Sequence, residues 1–436
     1  MNESANDIHP QTIEVLEPRK KEQKKKTKAK TKHRIIQYFI FLSFSFLGFI
    51  NHLGYYLIIT NSQQLATSLG NESLIACYPL ALIIFSSLSR LINSKYFINI
   101  SYYIRVIILT LYFAIGYISL FFILDNKKVN GNNKLAFWFT LIPTAIVGTA
   151  ESFGEVIILS YIGTFRGNYI SGWNIGASLA GVSGSFICLL FKNLNSNVKY
   201  LYLMLSPICV LYLFIFIFVD CCGHTEKKNS HKKKYMKFHE KKIAINNNGD
   251  EDFKKKTLNC QNFKDGVILA RKYIINLALI NFLQYTICYC FCERANKYKF
   301  INSRGTFFES AQYETLLLFY QFGFVISNSS LFLLKHIKKI EIFTYLQVLN
   351  FILWFLEALF GYISNHWICF IHLFFVGFCG GGETIVLLNN MFNSKNITKQ
   401  FQELCLNISE FFMDWGILLS SVFSILLDNT YLKAYR

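Results

Sequence analysis

The sequence predicts an all-α, polytopic membrane protein, and three observations carry the prediction. Of its 436 residues, 53% are hydrophobic and 17% aromatic, with only 5 prolines, above the roughly 45–50% apolar content of ordinary soluble domains. The apolar residues are gathered into blocks of about 18 to 27 without a fixed charge, long enough to cross a hydrocarbon layer of roughly 30 Å as a helix. The net charge of +18 is concentrated in two lysine-rich stretches outside those blocks. This composition excludes a soluble multidomain enzyme.

Taken in order, residues 1–34 contain RKKEQKKKTKAKTKHR and are expected to form a disordered, basic cytosolic tail. The first apolar block, 35–59, is too long for a cleavable signal core and serves as its own insertion signal. Blocks at 74–92, 102–124, 135–162, 169–191 and 199–220 complete an N-terminal six-helix bundle over 35–220. A lysine-rich cytosolic loop, 221–272, also expected to be disordered, separates it from a C-terminal five-helix bundle over 273–428. The spans of that bundle lie at 273–292, 312–334, 341–363, 366–392 and 402–428, and a short tail, 429–436, follows. About eleven transmembrane helices result.

With a cytosolic amino terminus, six spans return the chain to the cytosol, so both lysine-rich stretches share one side as the positive-inside rule asks. That rule, with attraction to anionic lipid headgroups, accounts for the basic runs without nucleic acid; the lipid bilayer is the expected partner. The loop at 60–73 has no Lys or Arg and holds Asn71-Glu72-Ser73, which makes Asn71 a glycosylation candidate. Other loops on that side do carry Lys127, Lys128, Lys134, Arg294, Lys297 and Arg304, and the carboxyl tail would also lie there. The twelve cysteines are scattered, mostly within apolar blocks, in no zinc or disulfide pattern.

Six spans, a charged loop and five spans give the outline of a major facilitator-like transporter, two bundles with a path between them, lacking a twelfth span. There is no phosphate-binding loop, metal-ligand cluster or nucleophile elbow, so neither a cofactor nor a metal is expected. Transport energy would come from a gradient.

Ionisable side chains within spans cost about 2.5–3.5 kcal/mol at a helix centre and usually face a functional path. Here they are His52, Glu151, Glu155, Glu357, His372, Glu383, Glu410 and Asp414. Glu151 and Glu155, in ESFGEVIILSYIGTF, stand at i and i+4 and share a helix face, an arrangement that suits proton coupling. The plainer alternative, that the side chain reaches headgroup water, applies to Glu151 and Glu357 near span ends more than to Glu155, which the apolar run Val156–Leu159 follows. Either histidine, taken alone, is more often a packing residue than a proton relay. In SGWNIGASLAGVSG, Gly172, Gly176, Ala180 and Gly184 form a row of small residues beside a second row of Ala177, Gly181 and Ser185, the pattern that lets helix backbones pack closely. Gly380, Gly381 and Gly382 in GFCGGGET permit a bend next to Glu383, a plausible gate.

These stretches resemble the battenin family of lysosomal and vacuolar membrane proteins. The resemblance is carried by GEV..LS at Gly154–Ser160, ISGWNIGASLAG, LGFIN at Leu47–Asn51, YQFGFVISNSS at Tyr320–Ser330, the glycine-rich run at Gly377–Gly381, and Ile408-Ser409-Glu410. It covers nearly all the membrane region and leaves out the basic tail and the lysine-rich loop. Within or beside these stretches, Asn51, Gln284, Tyr320, Gln321 and Asn328 are the substrate-path candidates. Asn328 stands where the family has an arginine, and Gln284 where it has a glutamate. Glu383 lies seven residues beyond the family's acidic position, occupied here by Val376. The resemblance further implies a major facilitator-like fold in an acidic organelle, with links to glycerophosphodiester clearance, basic amino acid transport and pH control. The leading expectation is therefore a secondary transporter exporting small polar metabolites, with protons as a candidate coupled ion, in which Glu155, Glu151, His52, Glu383 and Glu410 are the candidate proton or substrate sites. A scaffold whose lysine-rich loop binds cytosolic trafficking proteins is the alternative. An intramembrane lipid enzyme ranks last, because no nucleophile is recognisable.

Overall fold

The computed structural model describes residues 11–432 except 98–99, 131–132, 166–168, 245–259, 300–310, 331–333, 335–336, 338, 393, 395 and 398. Residues 1–10 and 433–436, parts of the expected tails, and the centre of the lysine-rich loop lie outside the described residues. Those described are helical or in turns, with no strand among them. In a bilayer this follows from the backbone, because a helix satisfies its own N–H and C=O groups where no water can.

The N-terminal half comprises α1 (Gln11–Ser68), α2 (Cys77–Ile83), α3 (Ser86–Ile92), α4 (Tyr102–Asn130), α5 (Asn133–Ile162), α6 (Ile170–Asn193) and α7 (Lys199–Ala244). The C-terminal half comprises α8 (Cys260–Thr286) and α9 (Cys292–Lys299), joined by a π-helical turn, then α10 (Gln312–Ser329), α11 (Glu341–Phe360), α12 (His366–Phe392) and α13 (Lys399–Asn429). Among the described residues, 10 stretches are long and apolar enough to cross a membrane. A further long helix, α10, falls outside that set because Gln312, Glu314, Gln321 and Asn328 interrupt its short apolar run, yet it packs between α6 and α12.

The helices overrun several expected boundaries. The tail read as disordered to residue 34 is helical from Gln11, and α7 continues past residue 220 to Ala244. Lys, Glu, Gln and Ala have high helix propensity, so each hydrogen-bond ladder propagates out of its apolar block. The expected span at 74–92 is divided at Ile84–Phe85 into α2 and α3. Arg294, expected in a loop, is instead fully buried on α9, where its Nε donates to the Ala358 carbonyl at 3.1 Å. At the end of α11, Gly361 takes a left-handed φ of 57° and its N–H closes the helix on the Glu357 carbonyl at 2.8 Å, the usual reason for glycine just past a helix.

Within the N-terminal half α1 lies along α6, and Gly172, Gly176, Ala180 and Gly184 are buried. A Cβ at Gly176 would run into the Ser45 backbone carbonyl of α1. Gly176→Val should therefore force the pair apart, at about 1–3 kcal/mol for overpacking alone, and lower the apparent melting temperature in detergent by several degrees; an unchanged transition would show that the helices tolerate separation. Between halves, α6 packs on α10 and α2 on α13, while α1 and α8 reach the interior.

Candidate functional site

A cavity of about 430 Å³ lies between the halves, lined by residues of α1, α3, α5, α6, α8, α10, α12 and α13. Successive long helices run in opposite directions, so Arg90 late in α3, Glu155 late in α5, Trp173 early in α6 and Glu410 early in α13 fall at one end, the end where α1 enters the bundle. At the other end the halves are joined. Ser62 of α1 and Tyr313 of α10 meet at 3.4 Å, and Lys192 of α6 donates to both oxygens of Glu314 of α10 at 2.9 and 2.7 Å.

Six charged or titratable side chains define the site's electrostatics. Glu151 and Glu155 share a face of α5, but each engages its own cation. Glu151 Oε1 lies 2.5 Å from His52 Nδ1, and Ser152 Oγ donates to its Oε2 at 3.1 Å. Glu155 Oε2 lies 2.9 Å from Arg90 Nη2. Arg90 reaches across to α13, donating through Nη1 to Glu410 Oε2 at 2.7 Å and through Nε to Asp414 Oδ2 at 3.1 Å. Glu410 and Asp414, one helical turn apart, bind the same guanidinium from the opposite half. Ser87 Oγ also donates to Asp414 Oδ2, at 3.4 Å. Counting the histidine as protonated, four carboxylates face two cations. Each pairing offsets the cost of taking its charges out of water, and carboxyl groups outnumber cationic groups on the cavity wall.

Aromatic and amide groups complete the walls. Tyr55, Tyr56, Trp173 and Tyr285 line the cavity, with His52 edge-on to Trp173 at 5.6 Å between centroids. Asn328 Nδ2 of α10 donates to Ser178 Oγ of α6 at 2.9 Å, tying the halves beside the cavity. Gln284 Nε2 donates to Asn281 Oδ1 at 2.8 Å. His52 Nε2, Asp414 Oδ1 and Asn328 Oδ1 are buried without a hydrogen-bond partner in the protein, polar atoms suited to a polar ligand.

Of the residues expected from sequence, His52, Glu151, Glu155, Glu410, Gln284 and Asn328 are on the cavity wall. Asn51 stands behind it, its Nδ2 donating to the Glu151 carbonyl at 2.9 Å and fixing α1 on α5. Tyr320 and Gln321 are packing residues away from the wall, against Gly377 of α12 and Gly181 of α6 respectively. Glu383 is also outside the cavity, wholly buried with neither oxygen partnered. The helix beside it is not interrupted, since α12 runs unbroken through Gly380–Gly382. These glycines serve close approach instead, with Gln284, Phe324 and Phe343 occupying the space their Cβ atoms would need. His372 stacks on Trp354 at 5.3 Å in the C-terminal half. Asn71 lies in the turn after α1, half-buried, with Nδ2 donating to the Leu69 carbonyl at 3.1 Å.

The residue that sequence reasoning missed is Arg90. It sits three residues before the π-helical turn Asn93–Phe97 and reads as the ordinary cation of a span end. The available signal was arithmetic, because several buried carboxylates on the spans require a cation among them.

A family model described as CLN3 protein matches residues 42–434. Battenin of Dictyostelium discoideum is 28% identical over 418 residues, covering 90% of this chain and 95% of that protein. Among solved structures, a POT family transporter in complex with 5-aminolevulinic acid superposes with a TM-score of 0.54 at 13% identity, covering 92% of each chain. A D-xylose–proton symporter superposes with a TM-score of 0.57 at 12% identity, covering 91% of this chain and 90% of that one. At such identities the structural likeness establishes a transporter-like fold and nothing finer.

Proposed function

The chain belongs to the CLN3 protein family, and we propose that it is a secondary transporter carrying small polar metabolites across the membrane of an acidic organelle, a lysosome or vacuole, with an influence on lumenal pH. The observation that carries this reading is the cavity of about 430 Å³ between two helical halves, walled by charged side chains from both. A site between two halves is what alternating access uses. Intramembrane charge is costly enough that its concentration here favours a transport role over a packing role.

The surplus of carboxylates supports a substrate bearing a cation, such as a basic amino acid, over a glycerophosphodiester, whose phosphate would meet three carboxylates around a single guanidinium. His52 and Glu151, 2.5 Å apart on the cavity wall, can hold one proton between them, so the pair is the natural place for a coupled proton. Purified protein in liposomes with an imposed pH gradient tests the reading: gradient-dependent uptake of arginine or lysine exceeding that of glycerophosphoinositol is the expected result. Failure to move any of them would remove both substrate classes.

A cytosolic amino terminus puts the turn at Asn71 in the lumen, where its sequon is open to glycosylation. Asn71→Gln should then abolish a glycosidase-sensitive mobility shift in the protein isolated from cells; a glycosidase-insensitive wild type would count against that orientation.

A further inference from the structure

We propose that Arg90 is a tethered cation standing in for the cationic group of the substrate: it holds the two halves together through Glu410 and Asp414 until an incoming ammonium or guanidinium takes those carboxylates over. This deepens the transport reading above and rests on it for the identity of the ligand.

Arg90 and Glu155 belong to one half, Glu410 and Asp414 to the other, so the guanidinium is the ionic connection between halves at the cavity end among the described residues. Its three nitrogens are divided among three carboxylates, at 2.9, 2.7 and 3.1 Å. A substrate guanidinium or ammonium offers donors of the same kind. Three carboxylates about one guanidinium offer more acceptor oxygens than it fills, so a second cation can engage them before the first has left. Asp414 Oδ1, 1% exposed at the residue and without a partner, is an acceptor that Arg90 does not use, a first foothold for the incoming group.

The mounting of Arg90 fits displacement. It sits on α3, a helix of 7 residues between the break at Ile84–Phe85 and the π-helical turn Asn93–Phe97. Such a short segment, bounded by irregular backbone at both ends, can shift without carrying the rest of its bundle. When a ligand engages Glu410 and Asp414, Arg90 keeps Glu155, its partner in the same half, and the link to α13 opens. Opening is then driven by the ligand's differential affinity for the unlatched state, as any ligand-driven shift must be.

The test uses the full chain in liposomes and two readouts. The first is arginine binding. Removing the tethered competitor in Arg90→Gln should tighten binding by about tenfold, equivalent to about 1.4 kcal/mol, while the uptake rate falls. The second needs no transport: Asn174→Cys, on the cavity wall, is labelled with a charged maleimide in a Cys221→Ser, Cys222→Ser, Cys260→Ser background, the remaining nine cysteines being buried. Labelling should be slow in the parent, faster in Arg90→Gln, and faster in the parent once arginine is added. Should Arg90→Gln fail to fold, the exchange Arg90→Glu with Glu410→Arg keeps one guanidinium among three carboxylates across the same interface, and should restore slow labelling that arginine accelerates. Binding no tighter and labelling no faster in Arg90→Gln, or labelling unaffected by arginine in the exchanged protein, would overturn the proposal. A parent protein that carries no solute overturns the transport reading instead, while the labelling comparison still decides for or against the latch.

Discussion

Glu155→Gln is expected to slow uptake driven by a pH gradient at least tenfold while the protein remains folded. Glutamine preserves the shape of the side chain and its capacity to hydrogen bond, but not the charge that holds Arg90 Nη2 at 2.9 Å. Losing one partner of a buried ion pair costs about 3–5 kcal/mol, and each 1.4 kcal/mol is a factor of ten. The Glu155 side chain is 18% exposed toward the cavity, and Arg90 retains Glu410 and Asp414, so the lower end of that range applies. Fold is preserved for the second reason, since the guanidinium is not left without an anion. Initial uptake rates in liposomes, with thermal unfolding measured on the same preparations, separate the two effects. A Glu155→Gln protein within twofold of the parent rate would remove Glu155 from the transport path. Glu155→Asp keeps the charge at shorter reach and should fall between.

Much of the fold and the acidic half of the site could be read from the sequence, for reasons of length and period. A hydrocarbon core of roughly 30 Å dictates the size of a spanning block, so the spans are evident as apolar runs. Helical periodicity places Glu151 with Glu155, and Glu410 with Asp414, on common faces. The partners of those faces were hidden. Arg90 meets Glu410 and Asp414 across 320 and 324 residues of chain, a juxtaposition that only the packing of α3 against α13 creates and no local pattern records. Asn51 was recognised as belonging to the site, but its role was not: its bond goes to a backbone carbonyl, a contact type that composition cannot register. The triple glycine does not interrupt α12 because one motif has two physical uses. Glycine permits kinking, but in a bilayer an interrupted ladder strands polar groups, and here Gly380–Gly382 keep the ladder and give up side chains to admit Gln284, Phe324 and Phe343.

The double variant Glu410→Gln, Asp414→Asn should do more damage than Glu155→Gln, and of two kinds. Both anions on α13 disappear, so the guanidinium, at a position 4% exposed, loses two carboxylates and keeps Glu155, and the ionic link between halves at the cavity end is cut. Stranding a buried charge in this way costs about 3–5 kcal/mol, a large fraction of the stability of most folds, so both the yield of monodisperse protein and its melting temperature should drop, and uptake should be lost. Lost uptake alone would not show whether the carboxylates act in transport or merely keep the protein folded. Adding Arg90→Gln to the pair decides, because the triple variant carries three uncharged amides able to hydrogen-bond one another where the ions were and leaves only Glu155 of the network, 18% exposed toward the cavity and free to take up a proton, and replacing buried ions by neutral groups is often neutral or stabilising. Stability should therefore return toward that of the parent while uptake does not, since neither carboxylate of α13 remains to recognise a cation or exchange a proton. Recovery of uptake along with stability would mean that the charges on α13 serve the fold alone. The cavity would then discriminate by its aromatic and amide walls, with Tyr55, Tyr56, Trp173 and Asn328 as the groups to alter next.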